Sequence, residues 1–144
     1  MTAFRFDQSY GRIVGVAYTS VYRQLSKYLN EKKLPITPDQ FRVLTHLWQI
    51  DGCSQQDLAV VSNRDRANVT RIIDILEREG IVERKDHETD RRIFKIFLTK
   101  KGKGLEKEAA QCGQLAIKDA LKGVRKDDID ICMRVLRKTI ENLK

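Results

Sequence analysis

Arg66, Asn68, Thr70 and Arg71 follow Asp65 within six positions, and their side chains suit the chemistry of duplex DNA. An Arg guanidinium can bond a guanine bidentately, an Asn amide does the same for adenine, and Thr can contact a thymine methyl. Val69, Ile72, Ile73 and Leu76 are interleaved with them at i, i+3, i+4 and i+7, one apolar stripe at helical period. The stretch therefore predicts a helix held by one side that offers the other. Asp65 is placed to cap its first turn, and Glu79-Gly80 ends it, with the glycine taking a left-handed position. Such polar residues also occur on ordinary solvated helices, so the weight falls on what surrounds them.

A second polar set lies downstream. Ile81–Lys85 and Ile93–Leu98 alternate at period two and read as a hairpin with Asp86–Arg92 as its tip. Asp90, Arg91, Arg92 and Lys95 lie at or next to that tip. Arg91 to Gly104 contains six Lys/Arg and no acid, whereas Asp74 to Asp90 is net acidic. This local segregation matters more than the net charge of +8, because residues 36–100 hold eleven bases and eleven acids.

Ahead of the Arg66 helix, Ser54 opens a short helix with Asp57 three residues on. Leu58, Ala59 and Val61 make its apolar side. Ser62-Asn63-Arg64 is the connecting turn, with Asn63 suited to left-handed backbone and Arg64 adding a basic group. A short helix, a tight turn, a second helix with a polar outer face and then a hairpin make a helix-turn-helix with a wing. Thr37-Pro38 with Gln40 starts another helix through Phe41, Leu44, Leu47 and Trp48, which stops at Asp51-Gly52.

Three further helices flank this unit. The first carries Tyr10, Ile13, Val14, Ala17, Val21, Leu25, Tyr28 and Leu29. The fifth, capped by Thr99, carries Leu105, Ala109, Cys112 and Ala116 and breaks near Gly123. The last carries Ile129, Cys132, Met133, Leu136, Ile140 and Leu143. So small a winged domain cannot cover all three stripes, which implies a second core built by two chains. The expected fold class is mostly α with a small β-hairpin wing. One domain spans 1–144, with 36–99 the winged helix-turn-helix and 1–35 and 100–144 the dimerisation helices.

Other chemistries find little support. No apolar run approaches the roughly 20 residues of a membrane span, and the N-terminus lacks the apolar region of a secretory signal, so a cytoplasmic location is expected. Cys53, Cys112 and Cys132 form neither a disulfide framework nor a zinc motif. They are expected to be buried small hydrophobes. His46 and His87 have no ligand spacing with Cys53 or Asp90, so no metal is expected and no cofactor either. The absence of a Ser/His/Asp set and of a glycine-rich phosphate loop argues against an enzyme.

Taken together, Ser54–Ala59, Asn68–Arg84, Asp90-Arg91-Arg92 and Leu98–Gly102 resemble the MarR family of bacterial winged-helix regulators. The resemblance runs through the whole chain in order and length. It implies a homodimer that binds an inverted repeat in double-stranded DNA as a repressor, with the Arg66 helix in the major groove. It also implies that Arg92 enters the minor groove with Asp90 holding it, and that Arg91 meets a phosphate. Asn63-Arg64-Asp65 departs from the family's usual Gly, apolar residue and Ser. The resemblance further implies an effector pocket in the dimer, for which Tyr18, Tyr22, Phe41 and Trp48 are candidate lining residues toward a small aromatic ligand; aromatics at these spacings are more often plain core. An architectural DNA-binding protein and a winged module for protein contacts remain alternatives.

Overall fold

The computed structural model describes residues 5–62 and 65–144, so the expectations for Asn63 and Arg64 lie outside the described residues. After a short 3-10 turn at Phe6–Gln8, the helices are α1 (Tyr10–Glu31), α2 (Pro38–Gln49), α3 (Gln55–Val61), α4 (Arg66–Arg78), α5 (Lys100–Gly104), α6 (Glu106–Ala120) and α7 (Lys126–Asn142). The strands are β1 (Cys53–Ser54), β2 (Val82–Asp86) and β3 (Phe94–Leu98).

The caps expected from the sequence form. Thr37 with Gln40 and Ser54 with Asp57 make reciprocal capping boxes, while Asp65 accepts from the Asn68 N–H at 2.7 Å and Thr99 from the Gly102 N–H at 3.1 Å. Each satisfies a first-turn donor that would otherwise lack a partner. At the other end of α4, Gly80 has φ of 72° and closes the helix as expected.

The hairpin is antiparallel, with Val82 opposite Leu98 and Arg84 opposite Ile96. A third strand joins it, giving the order β1-β3-β2, with Cys53 opposite Ile96. Two residues are too few to show a period, which is why the sequence does not reveal β1. Gly52 precedes it with φ of 80°, and a Cβ there would lie 2.6 Å from the Phe97 ring, so both backbone and packing require glycine.

The expected fifth helix is divided. Trp48 Nε1 donates to the Gly102 carbonyl at 3.0 Å, and the Leu105 N–H reaches the same carbonyl at 3.4 Å, tightening the turn where α5 passes into α6. A side chain inserted into a helix ladder is a common cause of such a break. Gly102 itself packs so closely on β2's approach that a Cβ would lie 2.2 Å from the Ile81 carbonyl oxygen.

The core lies inside the winged unit. Leu44 and Leu47 of α2, Leu58 of α3, Val69, Ile73 and Leu76 of α4, and Ile81, Val82 and Ile96 of the sheet segment are all buried, and Leu29, Ala109 and Cys112 close it from α1 and α6. By contrast, α7 buries none of its residues, and Tyr10, Ile13, Val14, Val16 and Tyr18 along α1 are exposed. Cys53 and Cys112 are buried as expected, but Cys132 is exposed because it sits on α7.

Candidate nucleic-acid interface and effector pocket

The apolar stripe of α4 faces the core, which leaves Arg66 and Arg71 exposed and Asn68 half-buried. Each is held by a neighbour. Asn68 donates to Asp65 at 3.0 Å and accepts from Arg71 Nη2 at 2.7 Å, so cap, amide and guanidinium form a chain along the helix surface. Arg66 Nη2 donates to Gln56 Oε1 of α3 at 2.7 Å. Thr70 is half-buried as well: its hydroxyl donates to the Arg66 carbonyl and accepts from Gln55 Nε2, both at 2.8 Å. That hydroxyl is committed within the protein.

The wing tip shows a compact clamp. Arg92 Nε and Nη2 donate to the two Asp90 oxygens at 3.1 and 3.2 Å, and the Arg92 backbone N–H adds a bond at 3.0 Å. The guanidinium side chain remains 90% exposed, so the clamp orients it without covering it. These bonds from Arg92 hold the Asp90 carboxyl below the usual carboxylate range. Arg91 is exposed beside it.

Between α3, α4 and the wing runs a groove of about 550 Å³ with Gln55, Gln56, Arg66 and Thr70 on one side and Asp90, Arg92, Ile93 and Phe94 on the other. It brings Arg66 and Thr70 of the helix to Asp90 and Arg92 of the wing, whereas Asn68, Arg71 and Arg91 lie outside its lining. Lys95 is not among its lining residues: strand alternation puts it on the face opposite buried Ile96 and opposite Lys85 across the ladder. Gln55, Gln56, Ile93 and Phe94 are groove residues that the sequence reading did not single out. The pair of glutamines at the start of α3 was the available signal, but only the angle between α3 and α4 aims it at Arg66 and Thr70.

A second cavity, of about 250 Å³, lies between α1, α2 and α6. Tyr18, Tyr22, Phe41 and Arg42 line it together with Val21, Leu25 and small residues of α6. Arg42 stacks 5.2 Å over the Tyr18 ring, bonds its hydroxyl, and reaches the Ser62 carbonyl at 3.5 Å. Tyr22 donates to Asp39 at 3.4 Å. Gly113 opens space, since a Cβ there would meet Phe41 at 3.0 Å. Three of the four aromatic candidates thus meet in one cavity. Trp48 is the exception: it packs edge-on against Phe41 at 6.1 Å and spends its indole N–H on Gly102, which makes it part of the core instead.

Burial raises the Cys53 thiol to about 11 and pushes Cys112 up as well, so neither is a ready thiolate at neutral pH. Among the described residues, no cluster of His, Cys, Asp or Glu is arranged to hold a metal. No helix among them is long and apolar enough to cross a membrane.

The MarR family model matches residues 36–94, the stretch from before α2 to the start of β3. The uncharacterised HTH-type transcriptional regulator YybA of Bacillus subtilis is 30% identical over 113 residues, covering 76% of this chain and 75% of its own. Among solved structures, a cysteine-to-serine variant of MarR from E. coli complexed with operator DNA aligns with TM-score 0.81 and 26% identity, covering 96% of this chain and 99% of that one. BpsR of Bordetella bronchiseptica, whose DNA binding is regulated by 6-hydroxynicotinic acid, shares the fold with TM-score 0.87 at 22% identity over 96% of this chain and 97% of its own. The chain belongs to the MarR family of transcriptional regulators.

Proposed function

We propose that the chain acts in the cytoplasm as a homodimeric repressor that reads an inverted repeat in double-stranded DNA and releases it on binding a small aromatic effector. The groove that joins Arg66 and Thr70 of α4 to Arg92 of the wing carries the reading. Its two walls match the two things a winged domain must grip, base edges in the major groove and the narrow minor groove beside them. Arg66 and Asn68 are the base readers, with Arg71, Arg91 and Arg92 on phosphates or minor groove. Lys95 serves a phosphate at most, from the outer face of the wing. Residues 36–99 form the DNA-binding part of one domain, and 1–35 with 100–144 form the dimer. Two copies of α4 then meet half-sites about one helical turn, roughly 34 Å, apart.

The exposed apolar residues of α1 and α7 support the dimer, since large contiguous apolar surfaces mark interaction sites. The α1–α2–α6 cavity supports an effector whose flat apolar body meets Tyr22 and Phe41 while an acidic group meets Arg42. Such a ligand acts only by binding the DNA-incompetent dimer better than the competent one.

Fluorescence anisotropy with the DNA upstream of the gene and a scrambled copy tests the DNA reading. A preference of about a thousandfold that survives near-physiological salt is the expected result. Equal binding that collapses as salt rises means phosphate attraction alone, the behaviour of an architectural protein. Salicylate serves as the effector probe: it is expected to raise thermal stability and alter Trp48 fluorescence through Phe41, and no change in either removes the effector part.

A further inference from the structure

Arg84 is explained neither by base reading nor by core packing. It stands in the middle of β2, with a side chain 16% exposed where its partners Asp74 and Glu77 are 48% and 44% exposed. Its Nη2 meets Asp74 Oδ1 at 2.6 Å, its Nη1 meets Glu77 Oε1 at 3.0 Å, and its Nε donates to Gln55 Oε1 at 3.1 Å. The backbone N–H of the same residue donates to Glu77 Oε2 at 3.1 Å. Nη2 also lies 3.5 Å from the Thr70 carbonyl. Thr70, Asp74 and Glu77 fall at i, i+4 and i+7, so one guanidinium follows a single line along α4 while reaching α3 through Gln55. Gln55 continues the link, since its Nε2 holds the Thr70 hydroxyl, which in turn bonds the Arg66 carbonyl.

We propose that Arg84 is a positioning residue for DNA recognition: it sets the roll of α4 against the wing and α3. The inference rests on the DNA reading above. The physical need follows from how α4 is otherwise held. Its contacts to the core run through Val69, Ile73 and Leu76, and apolar burial has no directional preference. A small roll costs such contacts little, yet it moves Arg66 and Asn68 away from base edges that accept bonds only over a narrow range of distance and angle. Two hydrogen bonds to α3, Arg66 to Gln56 and Gln55 to Thr70, give direction near the start of α4, and a planar fork holding two carboxylates adds it farther along the helix and from the wing. It also offsets one of the two negative charges of Asp74 and Glu77, which unpaired would repel the phosphates beside α4.

Two variants of the chain test this, using the tightest duplex it selects from a randomised pool and a scrambled duplex. Arg84→Lys keeps the charge and loses the fork. The expected result is a loss of tenfold or more on the selected duplex, less than a twofold change on the scrambled one, and an unchanged salt slope. Asp74→Asn combined with Glu77→Gln replaces both carboxylates by weaker neutral acceptors, which loosens the fork while making the surface more basic. It is expected to tighten binding to scrambled DNA while the ratio between the two duplexes falls at least tenfold. Folded fractions are matched by circular dichroism, and if Arg84→Lys does not fold the second variant decides. A ratio that stays within twofold of wild type in the folded variants overturns the positioning role; tighter binding to both duplexes at constant ratio leaves Arg84 as a charge mask only. If wild type selects no preferred duplex, the DNA reading itself fails, a distinguishable outcome.

Discussion

Leu76 of α4 and Ile140 of α7 occupy matching places, each on an apolar stripe repeating at three- and four-residue steps, yet Leu76 is 0% exposed and Ile140 is 60% exposed. The winged unit brings helices and sheet into one layer pair and covers its own stripes, with Val69, Ile73 and Leu76 against Leu44, Leu58 and Ile96. Among the described residues, α7 has an equally regular stripe and buries none of it, and α1 buries only Leu29 near its C-terminal end. Hydrophobic period therefore specifies which side of a helix must be covered, and leaves open whether the cover belongs to the same chain.

Cutting one residue from each region is the strongest way to break this comparison. Leu76→Ala should lower the unfolding free energy by about 2–5 kcal/mol, because it leaves a cavity inside a closed core, as read by urea denaturation. Arg66→Ala should cost on the order of 1–3 kcal/mol on the preferred duplex and relax preference at one base position; an equal loss on every sequence would reassign Arg66 to the DNA backbone.

Ile140→Ser should leave the winged unit folded and shift the monomer–dimer equilibrium by about 1 kcal/mol or more, measured by sedimentation across a dilution series. Unchanged association would mean that the two regions differ for some reason other than a second chain. Asp65→Ala sharpens the picture within α4. Removal of its cap should cost roughly 1 kcal/mol of stability and also loosen Asn68, whose amide it holds.

The smallest effect concerns the wing. Arg92 lowers the Asp90 carboxyl below its unfolded value, so this contribution is present above the ordinary carboxylate range and is lost only as pH falls through the lowered value. Carboxyl NMR of wild type and Arg92→Gln should show the Asp90 titration moving up in the variant, with no change in wing structure between pH 6 and 8.

Local signals carried much of the fold. Caps at Thr37, Ser54, Asp65 and Thr99, the left-handed Gly80, and the change of period after it all depend on neighbours within a few residues, and each is formed. The expected break near Gly123 is there too, with φ of 77°. The division of the fifth helix was not legible, because it depends on Trp48, which reaches Gly102 from 54 positions away. The site divides along the same line. That Arg66, Asn68 and Arg71 lie off the apolar stripe followed from helical period, and the pairing of Asp90 with Arg92 from the family resemblance. Gln55, Gln56, Phe94 and Arg84 did not, since each acts across an angle between elements.

The amino-acid sequence by itself determined that a polar-faced helix follows a tight turn and precedes a basic hairpin, because hydrogen-bonded caps and side-chain periods are properties of short segments. Only the tertiary structure decided that three of four aromatic candidates share a cavity while Trp48 does not, and that Lys95 faces away from the groove. It alone joined Arg84 to Asp74, Glu77 and Gln55. The reason is the same in each case: directional contacts between distant segments depend on how whole elements cross, and helix and strand periods are silent about crossing.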